Sequence, residues 1–515
     1  MVQVVGAGLA GCEAAWQIAS AGIPVKLIEM KPAKYTPAHK YKGFAELVCS
    51  NSLKADRLGS AAGMLKEEMR RLGSLTMRCA ERARVSAGGA LAVDRTLFSD
   101  EVTARIRFHP LITVEEREVT EVPEGRAIIA TGPLTSDALS KSIGRLIGGE
   151  YLYFHDAAAP IVSFESIDMD KAFFASRYGR GTADYINCPM EREEYERFYE
   201  ALIHAESAPL HEFDGGFDCK TGGGTNKVRA GDKPPVGAVT NETERSEECA
   251  DLSGGVPPFK RGLGDKPPVG AMTNEAERSE ECANPSGGVP PFKVYEGCMP
   301  VEVLAKRGAD TMRYGPLKPV GIYHPVTNKR YYAVVQLRAE NAEGTMYNLV
   351  GFQTNLKFGE QKRVFSMIPG LENAEFLRYG VMHRNTFINS PKLLTRHFNM
   401  RERPELYFAG QMTGVEGYIE SAASGIIAGL NMARAVKGLP PAELPETTMT
   451  GALSRYISDP TVTDFQPMGS NMGILPPLPG RIRSKQARYE ALALRGLSAL
   501  SEMLMGLHEQ SSCGG

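Results

Sequence analysis

The sequence predicts an α/β fold: a Rossmann-like domain, split in sequence, with an inserted α+β domain. Three observations predict it. A short apolar strand runs straight into a glycine-rich turn and a helix at the start of the chain. A second buried strand, ending in a glycine and followed by a small-residue helix, lies near residue 410. The residues between mix strands with an acidic helix. At 515 residues the chain exceeds what one core usually organises, so two or three domains are expected.

Met1 to Val5 is an apolar run suited to a buried strand, and Gly6-Ala7-Gly8-Leu9-Ala10-Gly11 follows it directly. Cys12 to Ala21 reads as a helix ending at Gly22, and Ile23 to Ile28 as a second strand closed by Glu29. In such a βαβ unit Gly6 permits the tight turn and Gly8 lets the backbone approach a pyrophosphate. Gly11 allows close helix–strand packing, and the helix N-terminus faces the phosphates. Glu29 stands near the distance expected of the acid that accepts hydrogen bonds from the adenosine ribose. The competing reading is a glycine-rich turn with no nucleotide. Strand, glycines and acid in sequence favour a nucleotide.

Further along, Arg117 to Val122 and Ala127 to Ala130 are β-like, and Ala130-Thr131-Gly132-Pro133 closes the latter. Glu191 to His204 is an acidic helix. Glu405 to Gly410 is a buried strand, Ile419 to Val436 a small-residue helix, and Arg481 to Leu507 a basic amphipathic helix. The expected division is 1–138 and 401–440 for the two parts of the Rossmann-like domain. Residues 139–400 form the inserted domain and 441–515 a C-terminal helical extension. The glycine fingerprint serves FAD and NAD alike. The Ala-Thr-Gly segment and the Ala409-Gly410 strand end, with a helix to aim at a flavin, resemble two-dinucleotide-fold flavoproteins. The C-x₄-C pair of flavin disulfide reductases is missing.

Residues 231–260 recur almost unchanged at 264–293, as in a recent duplication. Each copy is rich in Pro, Gly and Glu and poor in large apolar residues, so 220–293 is expected to be a mostly disordered insertion. Net charge is −2, which gives no bulk signature of nucleic-acid binding; a polyanion would have to meet a local patch. No apolar run reaches membrane-spanning length, and the nine unclustered cysteines fit a reducing compartment, so a cytoplasmic protein is expected. No Cys/His grouping has zinc-ligand spacing.

Two thiols stand out. Cys49 lies where the apolar run Phe44 to Val48 gives way to Ser50, Asn51 and Ser52, types that cap helices. Cys298 precedes Pro300 and Glu302, which suit the start of a helix running to about Arg307. A thiol near a helix N-terminus tends toward its thiolate. From local sequence alone an inert thiol is the commoner outcome for each.

At these residues the chain resembles the folate- and FAD-dependent tRNA uracil-5-methyltransferases. The resemblance is carried by GAGLAG (6–11), ELVCSNSLK (46–54), YEGCMPVEVLAKRG (295–308) and RYGPLKPVG (313–321). YNLVGFQTNLKFGEQKRVF (347–365), GVMHRNTFINSP (380–391) and FAGQMTGVEGYIESAASG (408–425) extend it over nearly the whole chain outside the duplication.

The resemblance implies FAD as cofactor, methylenetetrahydrofolate as carbon donor and NADPH or NADH as reductant. It implies methylation at C5 of the T-loop uridine, a base that must leave the tRNA stack to react. It also implies that Cys298 adds to uracil C6, making C5 nucleophilic, and that Cys49 is the second thiol beside the flavin, either taking up the C5 proton or holding the methylene. Candidate phosphate contacts are Arg378, His383, Arg384, Lys392, Arg396, Arg401 and, on the tail, Arg481, Arg483, Lys485 and Arg488. Each alone is more often a solvated charge. Three rivals remain open: a flavoprotein modifying the tRNA wobble uridine with a GTPase, a plain NAD(P)H:flavin oxidoreductase, and a non-catalytic tRNA-binding factor.

Overall fold

The computed structural model describes residues 1–36, 38–149, 151–179, 182–208, 299–463 and 465–512, without the side chains of 152–156, 383–384 and 508–512. The duplicated segment, Cys298 and the side chains of His383 and Arg384 lie outside this description.

Five parallel strands form the sheet that begins the chain, in the order Leu406–Phe408, Ala127–Ile129, Val2–Val5, Val25–Glu29, Ile112–Glu116. Helices cover it, so its strands read as continuous apolar runs: Val4, Leu27, Ile128 and Phe408 are fully buried. The first helix and the last strand of this sheet depart from expectation. The first helix is Leu9–Ser20, starting inside the fingerprint with Gly8 as its N-cap, because the glycine turn itself delivers the chain into helical geometry. The strand expected at 117–122 is instead Ile112–Glu116. Its ladder ends where the Arg117 N–H donates to Glu29 O (2.8 Å), and Arg117 to Val119 then turn to line a cavity.

Helix Tyr418–Val436 lies across helix Leu9–Ser20 at very short range. A Cβ on Gly425 would stand 2.1 Å from Ala10 O, and one on Gly429 would stand 2.7 Å from Ala14 O. Only glycine permits this approach.

A second sheet has six strands with antiparallel pairings, in the order Phe173–Ala175, Tyr185–Met190, Ala333–Ala339, Met346–Leu349, Ile161–Ser163, Phe376–Arg378. Helices Arg192–Ile203, Val301–Ala305 and Phe358–Phe365 close a separate core over it, with Phe198, Leu304 and Phe365 inside. The acidic helix starts as a capping box, the Glu191 N–H donating to Glu194 Oε2 (2.7 Å). The helix expected to run from Pro300 to Arg307 is shorter, Val301–Ala305.

The ribbon Tyr151–Ala157 with Met382–Ile388 runs between the sheets. The C-terminal helix is Lys485–Ser512, four residues later than expected, after the Pro479-Gly480 break. It docks on helix Ala61–Arg71, where Arg71 Nη1 donates to Leu497 O and Ser501 Oγ (both 2.9 Å). Among the described residues no helix is long and apolar enough to cross a membrane.

Candidate functional site

A cavity of about 1060 Å³ opens at the carboxyl ends of the parallel strands and extends to the second sheet. This exceeds the ~300–1,000 Å³ of ordinary small-molecule sites, leaving room for a dinucleotide and a second ligand. Its floor is the fingerprint loop. Gly6 has φ +96°, and a Cβ there would stand 2.7 Å from Ala130 O. A Cβ on Gly11 would stand 1.8 Å from Gly6 O, so the first helical turn folds against the loop only without a side chain. Gly8 faces open space and, with Ala7, Leu9 and Ala10, lines the cavity. No side chain caps this helix among the described residues, so its first N–H groups are available to an anion.

Glu29 is buried beside the loop. Its Oε2 accepts from the Ala7 N–H (2.7 Å) and its Oε1 from the Lys31 N–H (3.0 Å). The carboxylate therefore holds the loop, and its remaining lone pairs face the cavity it lines. On the opposite side, Gly410 (φ +84°) follows the strand Leu406–Phe408 and its N–H donates to Ser424 Oγ (2.7 Å). Gly417 N-caps helix Tyr418–Val436, again with no capping side chain, and Gly417, Tyr418 and Ser421 line the cavity. Two uncapped helix N-termini thus border one space. Loop, acid and second helix end fit FAD.

Cys49 lines the same cavity and is half-buried. The element after it is the strand Ser52–Ala55, not the helix its polar neighbours suggested; the next helix begins at Ala61, capped by Ser60. Long-range side chains hold the thiol instead of a helix end. The Tyr418 hydroxyl accepts from the Cys49 N–H (2.7 Å) and the Ser50 N–H (3.2 Å). Arg378 Nη2 donates to Val48 O (2.6 Å). Arg338 donates from Nε to Asn51 Oδ1 (2.9 Å) and from Nη2 to Ser50 Oγ (2.8 Å). Arg95 reaches Leu47 O (3.2 Å) and pairs with buried Glu340 (2.7 Å).

Burial, and then the charge of Cys49, push the Tyr418 hydroxyl well above its usual range. Burial also lowers Arg378, with Arg95 as the next cause. Arg378, expected at a phosphate, belongs to the thiol loop. Of the other expected phosphate contacts, Arg396 approaches Glu443 (3.5 Å) and Arg401 donates to Ser458 O (2.8 Å).

The remaining described thiols are buried and inert. Burial raises Cys79 and Cys188 to about 12, and raises Cys12 well above its usual value. Lys54 Nζ pairs with Glu420 Oε1 (3.0 Å), which also accepts from the Ser470 N–H (3.0 Å). Burial raises Glu420, but Lys54 and Ser470 outweigh it and hold the carboxyl below its usual range. Glu302, expected at the positive end of a helix, is buried and accepts from Thr354 Oγ1 and the Asn355 N–H (both 2.8 Å). It ties the segment after Cys298 to the second core. Met299, Leu304 and Arg307 of that segment line the cavity.

Sequence alone did not expose Tyr418, Arg338 or Arg95. Their only signal is a position at an element end, and what they touch lies in distant sequence.

The model of the family described as glucose inhibited division protein A matches residues 1–220 and 275–440. The gap between them spans the first copy of the duplication and part of the second. The structure is similar to Aquifex aeolicus GidA in its form I crystal, with TM-score 0.59, 14% identity, and 98% of this chain and 75% of that one covered. At that identity the likeness shows the fold. The methylenetetrahydrofolate–tRNA-(uracil-5-)-methyltransferase TrmFO of Enterococcus faecalis is 49% identical over 506 residues, spanning 98% of this chain and 99% of the relative. The TrmFO of Desulforudis audaxviator is 52% identical over 505 residues, spanning 98% of each chain. With half its residues shared along nearly its entire length, and with a cavity built for FAD, the chain belongs to the TrmFO family of methylenetetrahydrofolate–tRNA-(uracil-5-)-methyltransferases.

Proposed function

We propose that this chain methylates C5 of the T-loop uridine of tRNA, taking its carbon from methylenetetrahydrofolate and its electrons from NAD(P)H. The observation that carries this reading is Cys49. It is a half-buried thiol on the wall of the flavin-type cavity, set in a loop that arginines and a half-buried tyrosine hold from four distant segments.

FAD bound in this cavity supplies the redox chemistry that turns a methylene into a methyl group. Gly6, Ala7, Gly8, Leu9, Ala10 and Gly11 would hold its pyrophosphate, Glu29 its ribose, and Gly410 with the helix from Tyr418 its ring end. Arg378 and Arg95 hold the Cys49 loop through Val48 O and Leu47 O and bring positive charge to it. Cys49 then takes up the proton lost from uracil C5.

Cys298 is the thiolate that adds to C6. That bond gives C5 the electron density it lacks, and breaks again when the C5 proton leaves. Its support is the family motif and the neighbouring residues Met299, Leu304 and Arg307 on the cavity wall.

The test gives purified protein unmodified tRNA, NADPH and methylenetetrahydrofolate labelled in its methylene carbon. Label is expected in 5-methyluridine at the T-loop, falling by about 10³-fold or more in Cys298→Ala while NADPH still reduces the flavin. A reducible wild type that leaves tRNA unlabelled overturns the reaction. A fully active Cys298→Ala overturns the nucleophile.

A further inference from the structure

From Lys306 to Tyr332 the sequence carries six Lys or Arg, one acid and four Tyr, in a chain whose net charge is −2. None of these residues was among the expected phosphate contacts. Arg307 and Pro316, in the first part of this segment, line the cavity wall, and residues 319–330 form a largely exposed loop beyond it.

The loop is built rather than loose. The Tyr178 N–H donates to Gly321 O (2.6 Å) and Arg177 Nη1 to Lys318 O (3.1 Å). His324 and Lys329 close a turn, the His324 N–H donating to Lys329 O (3.1 Å). At Gly321 (φ +83°) a Cβ would stand 2.7 Å from the Tyr178 ring, so the loop's path requires glycine.

On this frame Tyr314 is 67% exposed and Val326 86% exposed. Arg330 lies over the ring of Tyr323 at 5.3 Å. Lys318 and Arg330 have no carboxylate at ion-pair distance among the described residues, unlike Lys329, which pairs with Glu191 (2.5 Å). Folding does not require unpaired cations and exposed aromatic rings together at the rim of a catalytic cavity. They are the composition that meets a sugar–phosphate backbone and stacks on unpaired bases.

We infer that the 314–330 surface is where the tRNA substrate rests while its target base enters the cavity. Lys318 and Arg330 contact phosphates, and the Tyr314 ring meets a base or ribose. The inference rests on the tRNA reading above, and binding separates the two.

The experiment titrates flavin-loaded protein against unmodified tRNA from about 50 to about 200 mM salt, with methyl transfer read in parallel. Wild type is compared with the double variant Lys318→Gln/Arg330→Gln and with Tyr314→Ala, each retaining flavin and NADPH reduction. The double variant is expected to bind about tenfold more weakly, with a log–log salt slope shallower by about two. Tyr314→Ala is expected to lose about tenfold with the slope unchanged. Wild-type affinity and slope in the double variant overturn the surface. Tight binding without methyl transfer by wild type overturns the reaction and leaves the surface standing.

Discussion

The fingerprint loop and the Cys49 loop face each other across one cavity, yet they are built in opposite ways. The first is made of backbone and missing side chains: Gly6, Gly11 and Ala130 touch through main-chain atoms, and its side-chain ties come from Cys12 next to it and from Glu29, 22 residues from Ala7. The second is made of side chains brought from afar. Tyr418 lies 369 residues from Cys49, Arg378 lies 330 from Val48, and Arg338 lies 287 from Asn51. A ligand phosphate needs only a fixed row of N–H donors, which a local turn supplies. A reactive thiol needs a tuned electrostatic setting, which takes charges from several elements.

The contrast can be broken from either side. The largest effect is expected for Gly11→Val. Its Cβ would collide with Gly6 O at 1.8 Å, and both atoms belong to the packed loop. A loss of more than about 4 kcal/mol in stability, with protein that purifies without flavin, is expected. A yellow, stable variant would show that the loop tolerates what its geometry excludes.

At the thiol loop Tyr418→Phe should spare the fold and flavin but remove the acceptor of two half-buried N–H groups, at a cost of about 1 kcal/mol. Methyl transfer should fall about tenfold and the alkylation of Cys49, read by peptide mapping, should change. In Arg378→Gln, which loses the donor to Val48 O, the rate of that alkylation should fall several-fold. An unchanged alkylation profile in both variants would reduce these residues to scaffolding.

The smallest effect concerns helix Ala61–Arg71, which supports the thiol loop through Lys66 Nζ, donating to Leu53 O (2.9 Å) and Lys54 O (3.0 Å). Two residues on, Glu68 is fully buried and accepts from the Met449 N–H (2.7 Å) and the Thr450 N–H (2.9 Å). Burial raises it to about 7. Its folded value lies above its unfolded one, so the stability it gives is full below about pH 4.5 and is lost as pH rises through about 7. The melting temperature of Glu68→Gln relative to wild type should therefore rise by a few degrees between about pH 5 and about pH 8. A flat difference would mean the helix end compensates the ionised carboxylate fully.

What was legible in the sequence follows the same division. Strand, fingerprint and acid announce the first loop within the opening residues, and small-residue spacing announces the helix at Tyr418 because that pattern is local. The acidic helix was also legible, since Glu191 and Glu194 cap it from within. The strand Ile112–Glu116 was misplaced because Arg117 to Val122 look as β-prone as their neighbours, and only the end of the Glu29 ladder decides. The surroundings of Cys49 could not be read: Ser50 and Asn51 look like caps, but Arg338 occupies both of their side-chain oxygens. Arg378 looked like a phosphate contact because no local pattern records its bond to Val48 O.

The edge strand Leu406–Phe408 joins its sheet beside Ala127–Ile129, and helix Tyr418–Val436 seals the first helix through Gly425 and Gly429. During synthesis the glycine fingerprint therefore leaves the ribosome well before the strand and helix that complete its cradle, which emerge only after the whole second sheet. Until then the nascent chain exposes an unpaired strand edge and an unsealed helix. Flavin loading becomes a late, post-insertion event, and a chain stalled in the middle segment would present a half-built nucleotide site prone to pairing with other edges.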